Sequence, residues 1–138
     1  MSDRNVVVSE SGVGPYGQSI VAGSHRLTAD EPEALGGRNS GPDPFELLLA
    51  GLGACTAMTI RMYAQRKGMP LRQVEVQLSH PIRASQAKGQ KDRFERHIRL
   101  VGDLTPEQRQ RLLEIADRCP VSQTLKASAE VATSLAAP

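Results

Sequence analysis

The chain has 138 residues, the usual size of one domain, and 17 basic against 15 acidic residues leave a formal charge of +2. The basic residues are scattered and form no dense stripe, which argues against nucleic acid as a partner. The N-terminal sequence lacks the pattern of a secretion signal, and the longest apolar stretch falls short of the ~20 apolar residues of a membrane span. We therefore expect a cytoplasmic protein with no membrane or nucleic-acid partner.

The first third of the chain predicts strands followed by a long loop. Short β-rich runs flank the turn-forming sequence GVGPYG and place the N-terminal strands within residues 1–30. Residues 31–43 are dense in Gly, Pro, Asp and Asn, which is typical of an extended loop. We expect these elements and all later ones to form a single domain, residues 1–138.

A long central helix is predicted over residues 44–67. Asp43 can cap its first turn, and Glu46 stands where a capping-box carboxylate returns to the amide of the cap. Gly68 supplies a left-handed stop. The two glycines of the run AGLGA weaken the helix interior, which predicts that another backbone approaches closely there.

The rest of the chain predicts one hairpin and two further helices. Alternating apolar residues indicate an antiparallel hairpin over residues 71–102. Helical spacing and a cap sequence then predict a second helix over residues 105–119. Residues 120–136 predict a short helix followed by a last strand. The fold class is therefore expected to be α+β.

The chain has only two cysteines, and they are the best clue to function. Cys55 lies inside the central helix, and Cys119 directly precedes Pro120 at the cap of the short helix, where backbone amides favour a thiolate. Each cysteine alone would more often be a small core residue. Cytoplasmic cysteine pairs are typically transient or catalytic, and these two lack the close-spaced partners of a zinc site, so no metal is expected.

The chain resembles the OsmC/Ohr family over nearly its whole length. The resemblance rests on GPDPFELLLAGLGAC, on a second cysteine 64 residues later in CPVSQTLK, and on the hairpin between them. The stretches ADEP, GGRNSGP and FELLLAGLGACTAMTIRMYA are similar to the OsmC-like branch of that family. The resemblance implies an OsmC-like fold: an intertwined homodimer in which antiparallel sheets wrap around two central helices.

The resemblance also implies a chemistry for the two thiols. In peroxidase members, the cysteine matching Cys55 attacks an organic hydroperoxide and becomes a sulfenic acid, and the one matching Cys119 resolves it as a disulfide. An external thiol reductant then restores both thiols, and no cofactor is needed. The helix-cap argument, in contrast, favours Cys119 as the more acidic thiol. For the order of attack we follow the resemblance.

Family peroxidases use an arginine to stabilise the thiolate and a carboxylate to hold that arginine. Counted from the proline that starts the helix, the family's glutamate aligns with Phe45, and Glu46 lies one position later. Glu46 is the candidate carboxylate, although its position also suits a cap. Arg26 on a strand and Arg38 in the loop are the candidate arginines, and Arg26 is preferred because a strand fixes it better.

Other polar and apolar residues are assigned simpler roles. Arg96 falls on the apolar face of its strand and is expected to form a structural ion pair. His80 is expected to be a hydrogen-bonded histidine of the sheet. An apolar lining that favours an alkyl substrate is expected from three residues of the central helix: Leu48, Leu52 and Met58.

Two alternatives to a peroxidase stay open. The chain could be a non-catalytic dimer that binds a small apolar ligand or senses oxidation, and the replacement of the aligned glutamate by Phe45 favours this alternative. It could also be a purely structural dimer with two inert core cysteines. The rate at which the thiols react near neutral pH separates these possibilities.

Overall fold

The computed structural model describes residues 5–138 and has a mixed α+β fold. Its helices and strands are β1 (Val6–Glu10), β2 (Gln18–Ala22), β3 (His25–Ala29), α1 (Pro44–Arg66), β4 (Leu71–Ile82), β5 (Arg93–Gly102), α2 (Pro106–Ala116) and α3 (Pro120–Ala127). The chain divides into two compact units, one ending at Leu48 and one spanning Leu49–Pro138, and the single domain expected from the sequence stays a prediction. Residues 1–4 of the predicted strand region lie outside the described residues.

The first unit contains an antiparallel meander of β1, β2 and β3. Ile20 in the middle strand lies opposite Val8 on one side and opposite Leu27 on the other. All five residues of β1 are exposed, so this strand buries neither of its faces within the chain. A strand of a folded protein normally packs at least one face against other residues. The exposed strand β1 therefore leaves an uncovered apolar surface at one edge of the meander.

Asp30 organises the loop that follows the meander. Its carboxylate accepts hydrogen bonds from the Ser40 hydroxyl at 2.7 Å and from the backbone amides of Glu31, Arg38 and Ser40 at 2.7, 3.2 and 3.1 Å. The hydrogen bond from the Ser40 hydroxyl, with those from the amides, lowers the pKa of Asp30 below its usual value against the opposing effect of burial. The predicted loop is therefore a fixed structure built around one carboxylate.

Helix α1 begins with the predicted capping box. The Glu46 amide donates to Asp43 Oδ1 at 2.8 Å, and the Asp43 amide donates to Glu46 Oε1 at 2.9 Å. Gly68 has φ 64°, the left-handed conformation predicted for the stop. The helix ends at Arg66, one residue before the predicted boundary.

Helix α1 is long and apolar enough to cross a membrane by length and composition, in contrast to the prediction from its sequence. The core helix of a soluble protein can have the same length and composition. Several residues of this helix are buried against the second unit's core, which is consistent with a core helix.

The second unit is built on the hairpin of β4 and β5, whose boundaries match the predicted ones. Inner and outer residues alternate along both strands, as the period of a strand requires. The inner face and two helices enclose the core. Its buried members are Ile60, Tyr63, Ala64, Leu71, Leu112, Ile115 and Ala116.

Within the described residues, no backbone approaches the glycines of α1 closely, and the approach of another chain's backbone there stays a prediction. A Cβ atom at Gly53 would lie 2.6 Å from Cδ1 of Leu78, the flexible end of a side chain on β4. A Cβ atom at Gly51 would meet no atom within 4 Å. Gly53 therefore makes room for a packed leucine, and Gly51 lies at an open surface.

The last part of the chain differs from the prediction in two ways. Helix α2 starts with the predicted capping box of Thr105 and Gln108, but it ends at Ala116 because a turn separates it from Cys119. The predicted last strand is wrong, since residues 128–138 form no strand and Val131 and Leu135 are 86 % and 98 % exposed. A strand needs a neighbouring strand for its backbone hydrogen bonds, and no described strand pairs with this segment.

Candidate functional site

The two cysteines meet in the second unit. Cys55 lies in the middle of α1, and Cys119 occupies the cap position of α3, as its place before Pro120 predicts. Each thiol shifts the pKa of the other, and both are in the free form. Cys119 is completely buried, whereas Cys55 is half-buried. The fold thus places one accessible thiol directly against one inaccessible thiol.

Cys55 opens into a cleft of about 770 Å³. The cleft is lined by Gly51, Ala54, Cys55, Met58, Thr59, Met62, Tyr63, Gln65, Arg66, Ile115, Arg118 and Pro120. Met58 is the one member of the predicted apolar lining found here, while Leu52 is buried at 4 % exposure and Leu48 belongs to the first unit. The charged side chains of this lining, Arg66 and Arg118, are both positive. The cleft therefore suits an apolar molecule, with a positive region beside it.

A second cleft of about 790 Å³ lies over the hairpin of β4 and β5. Its lining contains no cysteine and carries the inner and outer residues of both strands around Leu78 and Arg96. We therefore place the candidate site at the cleft with Cys55, although the two have nearly the same volume.

Cys119 is the more acidic of the two thiols. Burial raises the pKa of Cys119, but the hydrogen bond from the Cys55 thiol, the amides of Ser122 and Val121 and the Thr56 hydroxyl outweigh it, so the pKa lies below its usual value. The sulfur makes no close capping hydrogen bond, so the amides act as dipoles directed at it from the first turn of α3. The lowered pKa of Cys119 agrees in direction with the prediction from its place at the cap of a helix.

The pKa of Cys55 shifts in the opposite direction. Burial raises the pKa of Cys55, and its hydrogen bond to Cys119 together with the negative charge there raises it further. The Val121 amide and the Thr59 hydroxyl oppose this shift without reversing it. Between the two pKa values the pair holds one proton on Cys55 and one negative charge on Cys119.

Arg96 has the ion pair that the sequence predicts. Its Nη2 donates to Asp117 Oδ1 at 3.2 Å, and its Nη1 also donates to the hydroxyl of Thr56 at 3.1 Å. Thr56 is a residue of the site that the sequence analysis missed. It directly follows Cys55, and its position in the small-residue run around that cysteine was the one available signal.

The candidate activating groups belong to the first unit, and both cysteines belong to the second. Arg26 is an exposed residue of β3 opposite Val21, and Arg38 is exposed in the loop, where its backbone amide donates to Asp30. Glu46 forms the capping box of α1, which is the simpler of the two roles expected for it. Their part in thiol activation stays a prediction.

His80 is a hydrogen-bonded histidine of the sheet, as predicted. Its Nε2 lies 2.9 Å from Oδ1 of Asp92, and this hydrogen bond lowers the pKa of Asp92 below its usual value. Within residues 5–138, no three His, Cys, Asp or Glu side chains are grouped so that they could hold a metal ion.

Comparisons with known proteins point to one family. A family model described as OsmC-like protein matches residues 37–134, and no curated protein matches the chain. An OsmC-like protein from Mycoplasma pneumoniae is similar in structure, with a TM-score of 0.73 and 19% identity over 91% of this chain and 87% of that one. The two antiparallel sheets and three helices of the described chain match this fold.

Two organic hydroperoxide resistance proteins have the same fold. The one called OsmC from Legionella pneumophila gives a TM-score of 0.70 and 22% identity, covering 91% of this chain and 90% of that chain. The one from Elizabethkingia anophelis gives 0.69 and 22%, covering 90% and 88%. At these identities the likeness shows the fold alone.

Proposed function

The chain belongs to the family of OsmC-like proteins, and we propose that it is a thiol-dependent peroxidase that reduces organic hydroperoxides. The observation that carries this proposal is that a half-buried cysteine in a cleft and a second, buried cysteine are close enough for each to shift the pKa of the other. Such a pair can pass from two thiols to one disulfide without moving either helix far. An external dithiol would then reduce the disulfide.

Access to the cleft supports Cys55 as the attacking residue. A peroxide must reach the attacking sulfur, and Cys119 has no exposed surface. Charge alone would favour Cys119, because its pKa is lowered while burial raises that of Cys55. Accessibility and acidity therefore favour different cysteines. Transfer of one proton from Cys55 to Cys119 removes this conflict, because it moves the negative charge to the accessible sulfur.

The reaction can then be written with every proton accounted for. The Cys55 thiol passes its proton to the Cys119 thiolate, and the Cys55 sulfur attacks the terminal oxygen of the hydroperoxide. The O–O bond breaks, Cys55 becomes a sulfenic acid, and the leaving alkoxide takes the proton back from Cys119 as an alcohol. The Cys119 thiolate then attacks the Cys55 sulfur, the S–O bond breaks, and hydroxide leaves as the disulfide forms.

The lining of the cleft suggests which hydroperoxides it accepts. We expect organic hydroperoxides to be reduced at least about ten times more efficiently than hydrogen peroxide, because apolar contacts with Met58 and Met62 stabilise only the former. A carboxylated alkyl hydroperoxide should react at least as well as a neutral one, since Arg66 and Arg118 carry the charge of the lining. Steady-state peroxide consumption with a dithiol reductant measures kcat/KM for each. Equal efficiency for hydrogen peroxide would contradict the proposed substrate class.

An intertwined homodimer accounts for the apolar surface of the isolated chain. The valines of β1 are 55 to 61 % exposed, and Met58, Met62 and Leu113 are more than half exposed. Such a surface is typical of a protein–protein interface. Light scattering should give twice the chain mass of 14.9 kDa, whereas a mass of one chain at micromolar concentration would argue against the dimer.

A non-catalytic protein that binds an apolar ligand or senses oxidation is the second candidate. It is favoured by Phe45, which stands where the resemblance places a catalytic glutamate. A sensor would form the same disulfide but would not be turned over by a dithiol, so the steady-state assay separates the two functions.

A further inference from the structure

Arg96 is a positive charge on the inner face of the hairpin. It lies on β5 opposite Leu78, between the inward positions of Phe94 and Ile98, and its side chain is 14 % exposed. A cation in such apolar surroundings needs partners that satisfy its hydrogen-bond donors. The choice of those partners links Arg96 to the cysteine pair.

Three hydrogen bonds fix the guanidinium. Nη1 donates to the Ala116 carbonyl at 3.1 Å and to the Thr56 hydroxyl at 3.1 Å, and Nη2 donates to Asp117 Oδ1 at 3.2 Å. Asp117 Oδ1 also accepts from Lys126 Nζ at 3.2 Å, so one carboxylate is shared by two cations. The local charge around Thr56 therefore stays positive.

The Thr56 hydroxyl connects Arg96 to the helix that carries Cys55. It is completely buried, accepts the hydrogen bond from Arg96, and donates to the Leu52 carbonyl at 2.7 Å. The Ala116 carbonyl, to which Arg96 also donates, accepts a hydrogen bond from the Cys119 amide at 3.2 Å, and the Thr56 hydroxyl is one of the groups that lower the pKa of Cys119. A hydroxyl has one proton, so it can donate to the Leu52 carbonyl when Cys119 is a thiol and turn to the sulfur when Cys119 is ionised.

We propose that Arg96 is a positioning residue that favours the ionised state of Cys119 through the Thr56 hydroxyl. The guanidinium occupies a lone pair of the hydroxyl and polarises its O–H bond, which makes the hydroxyl a better donor to a negative sulfur. The inference rests on the proposed peroxidase, in which Cys119 must be charged to take the proton of Cys55 and again to attack the sulfenic acid. It assigns the activating cation to the second unit.

Titratable and charged groups of several elements are connected to the surroundings of Cys119 by these contacts or lie next to it in the chain. They are Cys55 on α1, Arg96 on β5, Asp117 and Arg118 in the turn before Cys119, and Lys126 on α3. Arg118 is exposed and Lys126 is paired with Asp117, so both are more strongly screened by water than Arg96. We therefore expect the ionisation of Cys119 to respond most to removal of the buried hydrogen bond between Arg96 and Thr56.

The test is a pH titration of the thiolate absorbance of the reduced protein, which needs no peroxide. Thr56→Val, which keeps the shape and removes the hydroxyl, should raise the midpoint of the first ionisation by about one pH unit, and Thr56→Ser should restore it. Arg96→Gln should raise the midpoint in the same way. Arg99→Gln, on the outer face of the same strand and paired with Glu75, should leave it unchanged.

The outcomes separate this inference from the proposed function. A folded Thr56→Val or Arg96→Gln protein with the wild-type midpoint would overturn the inference, even if the protein is a peroxidase. A raised midpoint in a protein without turnover would support the inference and reject the peroxidase. If Thr56→Val does not fold, Arg96→Gln measures the same quantity from the other end of the hydrogen bond.

Discussion

Replacing Cys55 with serine is expected to lower the turnover of an organic hydroperoxide by at least about a thousandfold. A serine hydroxyl ionises far less readily than a thiol and is a poor nucleophile toward the O–O bond. Cys119 cannot take over the reaction, because it is completely buried and peroxide cannot reach its sulfur. Steady-state peroxide consumption with a dithiol reductant measures the effect.

Cys119→Ser is the matched control for this experiment. That variant keeps the accessible sulfur but loses the resolving thiol, so we expect each chain to consume one equivalent of peroxide and to hold a sulfenic acid that a trapping reagent detects. Turnover retained in Cys55→Ser would reject the assigned order of the cysteines.

Leu112→Ala is expected to lower the free energy of unfolding by about 2–5 kcal/mol. Leu112 on α2 is completely buried among Ile60, Tyr63 and the other core residues, and alanine would leave a cavity that this small core cannot close. Denaturation by urea measures the loss. Because α2 ends just before Cys119, its loosening should also slow disulfide formation.

The neighbouring Leu113 offers a control for that measurement. Leu113 is 52 % exposed on the same helix, so Leu113→Ala changes the same chemical groups with little burial, and we expect a change within about 0.5 kcal/mol in dilute protein. Equal losses in the two variants would contradict the packing described for α2. A loss for Leu113→Ala that grows with protein concentration would instead place Leu113 in the dimer interface.

Local signals in the sequence predicted most of the elements. The capping box of Asp43 and Glu46, the stop at Gly68 and the hairpin boundaries are present as predicted, because each depends on residues close together in the chain. The prediction of a last strand is wrong for the opposite reason. A strand depends on a partner elsewhere, and residues 128–138 pair with no described strand.

In the site too, features that depend on neighbouring residues could be predicted from the sequence, and contacts between distant residues could not. The lowered pKa of Cys119 has the direction predicted from its place at a helix cap, but the interaction with the Cys55 thiol is its largest cause and the amides of Ser122 and Val121 add to it. The contact of Arg96 with Thr56 joins residues 40 positions apart and depends on the register of the hairpin against α1. No rule of sequence spacing predicts this contact. The sequence therefore indicates that Arg96 needs a partner, but it does not indicate that Thr56 is one of them.

In the proposed peroxidase, Cys55 and Cys119 act as one redox pair. The most direct measurement is peptide mass mapping of the fully reduced protein after treatment with one equivalent of an organic hydroperoxide. We expect a disulfide that joins the Cys55 and Cys119 peptides of the same chain, formed with the loss of both thiols and reversed by a dithiol. If Cys55 is instead overoxidised while Cys119 remains a free thiol, or if neither cysteine reacts, the two cysteines do not form a redox pair.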